Sequence, residues 1–122
     1  AVRIRRGAFA VAPVDAPFLR PSSYRRMLAV LESSGAAVPR WPNGYIEPLI
    51  AVYRAERVLE SIPRLLQRRD LSMRGLVREV GAVLVPVDAV FEDPDVETLN
   101  VNTPEDVDRA ERICSRLPAA PP

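Results

Sequence analysis

Apolar residues fall along this chain in two rhythms. Continuous runs stand at 7–14 (GAFAVAPV), 47–54 (EPLIAVYR) and 82–90 (AVLVPVDAV). Such runs suit strands covered on both faces, as in a sheet layered between helices. AAVPRW (36–41) predicts a further strand and LNVN (99–102) a short final one. Between the runs, apolar residues recur at helical spacing: Tyr24, Met27, Leu28 and Leu31; Val58, Leu59, Ile62, Leu65 and Leu66; Met73, Leu76, Val77 and Val80; Val107, Ala110, Ile113, Cys114 and Leu117. Ser22 is expected to cap the first helix, Gly35 to stop it, and Ser72 to cap the third. Pro63 should kink or split the second. PNG (42–44) predicts a turn, and FEDPDVET (91–98) an acidic, solvated loop.

Strands alternating with helices define an α/β class, here a three-layer sandwich with a mixed, mainly parallel sheet. The connection 40–48 is too short for a crossover helix, so the two strands it joins should run antiparallel. Residues 1–117 read as a single α/β domain or part of one, and 118–122 as a frayed tail.

Composition narrows the chemistry. The chain has 122 residues and a formal net charge of +1, so no large field of either sign steers a partner. There is no His and no Lys; all 17 basic side chains are Arg. Imidazole bases, Ser-His and Cys-His nucleophile pairs, His metal ligands and a phosphate-gripping lysine are therefore excluded. The arginine pairs (Arg5–Arg6, Arg25–Arg26, Arg68–Arg69) lack interleaved aromatics, so nucleic acid is not an expected partner. One cysteine, Cys114, cannot form an internal disulfide and is expected as a small buried hydrophobe. No stretch has the apolar length of a membrane span, no signal-peptide pattern opens the chain, and a cytoplasmic location is the default expectation.

Several polar residues stand where a sheet could present them. Asp15 follows the first strand, where open α/β sheets bind ligands. It suits Mg²⁺, which takes one or two carboxylates with phosphate and water oxygens, or a local turn bond to backbone amides. Asn43 and Gly44 are ligand contacts or simply turn residues. Glu47 is a ligand or a solvated strand entry. In NVNTPED (100–106), Thr103 at the N-cap, Pro104 at N1 and Asp106 at N3 form a near capping box. That cap leaves Asn100 and Asn102 unexplained. Strand alternation would place both carboxamides on one face, where they serve a polar ligand or merely a solvated edge.

AVAPVDAPFLRPSSYRRML, AAVPRWPNGYIEPLIAVYR and LNVNTPEDVDRAE occur in the order and approximate spacing of the carboxyl-terminal portion of molybdenum cofactor guanylyltransferases. The chain thus resembles the second half of these MobA-like, Rossmann-like nucleotidyltransferases over roughly residues 8–113. The resemblance implies transfer of GMP from GTP to the phosphate of molybdopterin, with Mg²⁺ and release of pyrophosphate. It makes Asp15 the catalytic, metal-binding carboxylate and sets Asn100 and Asn102 near the pterin phosphate. Asn43, Gly44, Glu47 and Pro48 would line the same substrate cleft. The family's glycine-rich nucleotide loop has no counterpart: the glycines at 7, 35, 44, 75 and 81 are isolated. GTP and molybdopterin are therefore expected partners only if a nucleotide-binding half is supplied. The strand at 8–14 should then have a bare edge, implying a homodimer or two-part assembly through it. Two other readings are a non-catalytic pterin- or partner-binding module and a remnant of another nucleotidyltransferase.

Overall fold

The computed structural model describes residues 2–3 and 7–117; the expected tail at 118–122 and the Arg5–Arg6 pair lie outside the described residues. Among the described residues five strands form one sheet: β1 (Val2–Arg3), β2 (Ala8–Val11), β3 (Ala36–Arg40), β4 (Ala51–Arg54) and β5 (Ala82–Pro86), in the order β1-β2-β4-β3-β5. The sheet is mixed, as expected. β2, β3 and β5 point the same way, but β4 lies between β2 and β3. Only β3–β5 pairs in parallel, and the other three ladders are antiparallel. A majority of parallel pairing therefore holds for strand direction and not for neighbours. The short link between β3 and β4 does produce the antiparallel pair predicted for it.

Among the described residues six helices complete the fold: α1 (Pro21–Leu31), α2 (Ala55–Gln67), α3 (Met73–Glu79), the single turns α4 (Val87–Val90) and α5 (Pro94–Glu97), and α6 (Pro104–Cys114). One core lies between the sheet and α1, with Met27, Leu31, Val52, Val85 and Phe91 buried in it. A second lies on the opposite face beneath α2 and α3, around Val38, Tyr53, Val77 and Val80. Alternation along the strands feeds both: Ala37 and Val52 face one core, Ala36, Ala51 and Tyr53 the other. Phe9 and Tyr53, opposite each other in the β2–β4 ladder, stack with ring centroids 5.8 Å apart.

Several expectations change at element ends. The strand expected over 7–14 contracts to Ala8–Val11, and only Ala8 of it is buried. Its edge is not bare, because Val2 and Arg3 pair with Ala10 and Phe9. Pro21, pre-set in φ, opens α1 with Arg20 at the N-cap; Ser22 sits inside the first turn and caps nothing. Glu32 takes the positive φ after α1, whereas Gly35 is required for packing: a Cβ there would lie 1.8 Å from the Val80 carbonyl oxygen. α2 runs unbroken through Pro63. Pro63 lies on the exposed face, where the carbonyl it leaves unpaired can turn to water. Ser72 caps α3 as predicted, accepting from the Gly75 N–H at 3.0 Å.

The run 47–54 is strand only from Ala51, and 82–90 only to Pro86, beyond which one helical turn follows. LNVN is not a strand. The acidic segment is not a plain solvated loop. Glu97 is fully buried, accepting from Ser23 Oγ at 2.5 Å and from the Glu92 N–H at 3.0 Å. Arg20 and Arg26 both pair with Glu92 above it. Cys114 is exposed rather than buried, because α6 buries none of its residues.

Candidate functional site at the carboxyl end of the sheet

The carboxyl ends of β2, β3 and β5 share one rim with the amino end of β4, since Val11 pairs with Ala51 and Arg40 with Pro86. Every candidate site residue lies on the connections at this rim. Asp15 stands in the turn after β2, half-buried. The strand end is tied to α1 by the Tyr24 hydroxyl, which donates to the Val11 carbonyl at 2.7 Å. Burial holds this phenol up to about 12. Asp15 in turn anchors the distant NVNTPED segment: the Val101 N–H donates to its carbonyl oxygen at 2.8 Å. That single backbone bond replaces the predicted strand.

Asn100 and Asn102 flank this contact with exposed side chains. The chain is fixed by the capping box that follows. Thr103 Oγ1 accepts from the Asp106 N–H at 3.1 Å, and Asp106 accepts from the N–H groups of Asn102 and Thr103 at 3.0 and 3.1 Å. The Asn102 and then the Thr103 bonds hold the Asp106 carboxyl below the usual carboxylate range. Asn102 thus serves the cap through its backbone and leaves its carboxamide free of that duty. Asp15 and Val101 line a groove of about 380 Å³ with Val14, Phe18, Glu111 and Cys114.

The connection from β3 to β4 is tightly bonded. Asn43 Oδ1 accepts from the Tyr45 N–H at 3.0 Å, closing a local turn, and Gly44 takes φ +91°, a left-handed conformation that favours glycine. Glu47 accepts from Trp41 Nε1 at 2.9 Å, and its N–H donates to the Pro39 carbonyl at 2.9 Å. The Pro48 carbonyl accepts from the Tyr53 hydroxyl, whose burial pushes it up to about 12. Asn43, Gly44, Glu47 and Pro48 therefore all have structural duties. None of them lines the Asp15 groove; Gly44 lines a different groove with Arg40, Arg74 and Arg78. The structure joins Asp15 to the Asn100–Asn102 segment and sets the Asn43–Pro48 loop on the same rim, in a separate concavity. Sequence reasoning missed Arg40, Trp41 and Asp88, which line a third groove of about 280 Å³. It also missed the structural clamp at Glu97, which no local pattern announces because its partner Ser23 is 74 residues away.

Among the described residues no group of three or more His, Cys, Asp or Glu side chains could hold a metal. Asp15 offers one carboxylate, with Glu111 on the same groove. This all-oxygen set suits a hard cation that takes its other ligands from phosphate and water, and not a transition metal.

A mixed sheet covered by helices on both faces, with its polar turns gathered at the carboxyl rim, defines an α/β sandwich. The MobA-like NTP transferase domain model matches residues 1–83, and the chain belongs to this family. It is 34% identical over 102 residues to a probable molybdenum cofactor guanylyltransferase of Thermococcus gammatolerans, covering 82% of this chain and 52% of the relative. The corresponding protein of Natronomonas pharaonis is 33% identical over 102 residues, covering 83% and 50%. The chain thus spans about half the length of these curated relatives. The crystal structure of molybdopterin-guanine dinucleotide biosynthesis protein A from Archaeoglobus fulgidus superposes with TM-score 0.74 at 29% identity, covering 91% of this chain and 57% of that one. A 2-C-methyl-D-erythritol 4-phosphate cytidylyltransferase from Thermus thermophilus shares the fold, with TM-score 0.59 at 19% identity and 89% and 62% coverage.

Proposed function

We propose that this chain is the substrate-side portion of a molybdenum cofactor guanylyltransferase-like enzyme. In this reading an oxygen of the molybdopterin phosphate attacks the α-phosphorus of GTP, a new P–O bond forms, and pyrophosphate leaves. The attacking oxygen is already anionic, so the lack of histidine is no obstacle. Bound Mg²⁺ would neutralise phosphate charge and orient the displacement. Asp15 would hold that ion, with its remaining ligands from phosphate and water. The Asn100 and Asn102 carboxamides would meet the pterin phosphate. The single observation carrying this reading is the Val101 N–H to Asp15 carbonyl bond, which brings the VDAP turn and the NVNTPED segment together.

In this reading GTP is held by a nucleotide-binding element supplied by another chain or by an amino-terminal half of the same polypeptide. That element is proposed to dock along β2, where Val2 and Arg3 form only a two-residue cover. A homodimer through the same edge, and a cytoplasmic setting, belong to this reading; no described helix is long and apolar enough to cross a membrane. The competing reading is a pterin- or partner-binding module without catalysis.

The deciding experiment titrates the chain with GTP–Mg²⁺ by calorimetry, alone and with a relative's amino-terminal half added, and then assays nucleotide transfer. Binding and turnover only with the added half support the two-part enzyme. Failure in both favours the module. Asp15→Ala should abolish transfer without loss of fold. Asn102→Ala should weaken pterin-phosphate binding more than metal binding. Retained transfer by Asp15→Ala removes Asp15 from the mechanism.

A further inference from the structure

Among the described residues one charged side chain, Glu97, is fully buried. No arginine there pairs with it, and Arg20 and Arg26 go to Glu92 instead. A buried carboxylate without a countercharge is costly, so its stability rests on its hydrogen bonds. Its two oxygens have different partners. Oε2 accepts from the Glu92 and Asp93 N–H groups at 3.0 and 3.4 Å, which closes the turn before α5. Oε1 accepts from Ser23 Oγ at 2.5 Å, which reaches α1. Ser23 is itself fully buried.

The connection from β5 to α6 starts in the core, where Val90 and Phe91 are buried. Glu97 anchors its far end, just before the segment that carries Asn100 and Asn102. Among the described residues, the only hydrogen bond from 98–103 to the fold outside 94–114 is the Val101 N–H to the Asp15 carbonyl, at 2.8 Å. α6 buries no residue and does not locate the segment from its other end. Asp15 and Ser23 belong to one stretch, which runs from the end of β2 into the first turn of α1. Buried Ala16 and the Tyr24–Val11 bond fix that stretch to the sheet. The asparagine segment is thus tied twice to the stretch that bears the Asp15 carboxylate. One tie would leave a pivot; two set an orientation.

We propose that Glu97 is a positioning residue: through Ser23 it holds 98–102 in place against Asp15, and so sets where the Asn100 and Asn102 carboxamides stand. It touches no substrate itself. That these carboxamides meet the pterin phosphate rests on the function proposed above; the placement does not.

Amide exchange and transfer kinetics test the two parts separately. Ser23→Ala removes the bond to α1 and leaves the Glu92 and Asp93 bonds in place. The Val101 amide should then exchange about tenfold faster or more, with the β3 and β4 amides unchanged. Glu97→Leu should act alike. Glu97→Gln keeps an acceptor for the Glu92 N–H and a polar group against Ser23, and should stay within about twofold of the parent chain. In the transfer assay with the added amino-terminal half, Ser23→Ala should raise KM for molybdopterin about tenfold and leave KM for GTP unchanged. Should Ser23→Ala or Glu97→Leu fail to fold, Glu97→Asp, shorter by a methylene, takes its place. Unchanged Val101 exchange in these variants overturns the proposal, as does equal quickening in β3 and β4. Quickened exchange with an unchanged KM for molybdopterin removes the positioning role. If the parent chain shows no transfer with the added half, the proposed function fails, and Val101 exchange alone upholds or overturns the placement.

Discussion

α1 and α6 have the same length, 11 residues, and are held by opposite means. α1 has no side-chain cap, and its residues Ser23, Met27 and Leu31 are buried against the sheet and the α5 turn. α6 has a complete capping box and no buried residue. Val107, in its first turns, is 44% exposed. Isolated helices of this length are marginal in water. α6 therefore leans on its cap and on the Val101–Asp15 bond just before it, whereas α1 leans on tertiary packing. The face of the Asp15 groove supplied by the loop between β2 and α1 is tied to the core by buried Ala16 and by the Tyr24–Val11 bond. The face supplied by α6 is held locally and can open without unfolding the rest.

The largest expected effect tests the α1 side. Met27→Ala leaves a cavity between α1 and the sheet and should cost about 2–5 kcal/mol, read as a fall in global stability by denaturant unfolding. A loss below about 0.5 kcal/mol would mean that α1 is not held by burial. The next test addresses α6. Thr103→Ala removes half the capping box and should cost about 1 kcal/mol of local stability. Amide exchange over 104–114 should quicken while the core amides of β3 and β4 keep their protection. Equal quickening throughout would erase the contrast between the two helices.

The smallest effect is a pH dependence of the same local kind. The folded Asp106 carboxyl titrates below its unfolded value. The stability it lends is complete above about pH 4 and is lost as pH falls through the lower, folded value. Acid below about pH 4 should therefore loosen α6 before α1, visible as exchange at 104–114. Asp106→Asn should make α6 insensitive over that window; if it does not, the cap is not the titrating element.

The elements of this fold were largely legible, because periodicity reports burial of a face, and α1, α2, α3 and the four longer strands each bury one, while α6 carries the period and buries no residue. Thr103–Asp106 and Ser72 were legible as caps because a cap is completed within three residues. Element ends were less so. Ser22 was a sound cap candidate by type, yet Pro21 opened the helix one residue earlier. LNVN alternates like a strand, but it joins no strand of the sheet; its Val101 N–H donates one bond to the Asp15 carbonyl instead. Cys114 sits on an apolar stripe that nothing among the described residues covers. The polar candidates divided the same way: one backbone bond from Val101 joins the asparagine segment to Asp15, while the Asn43–Pro48 loop went to its own turn and to Trp41 and Tyr53.

By itself, the amino-acid sequence determined the α/β class, the antiparallel turn between β3 and β4, the capping of α3 and α6, and the family. Each rests on residues close together in the chain or on a period that local geometry enforces. Tertiary structure alone decided the strand order that puts β4 between β2 and β3, the burial of Glu97 against Ser23, the need for glycine at position 35, and the open edge of β5. These depend on which distant segments meet, and contacts between distant segments leave no periodic trace in a single chain.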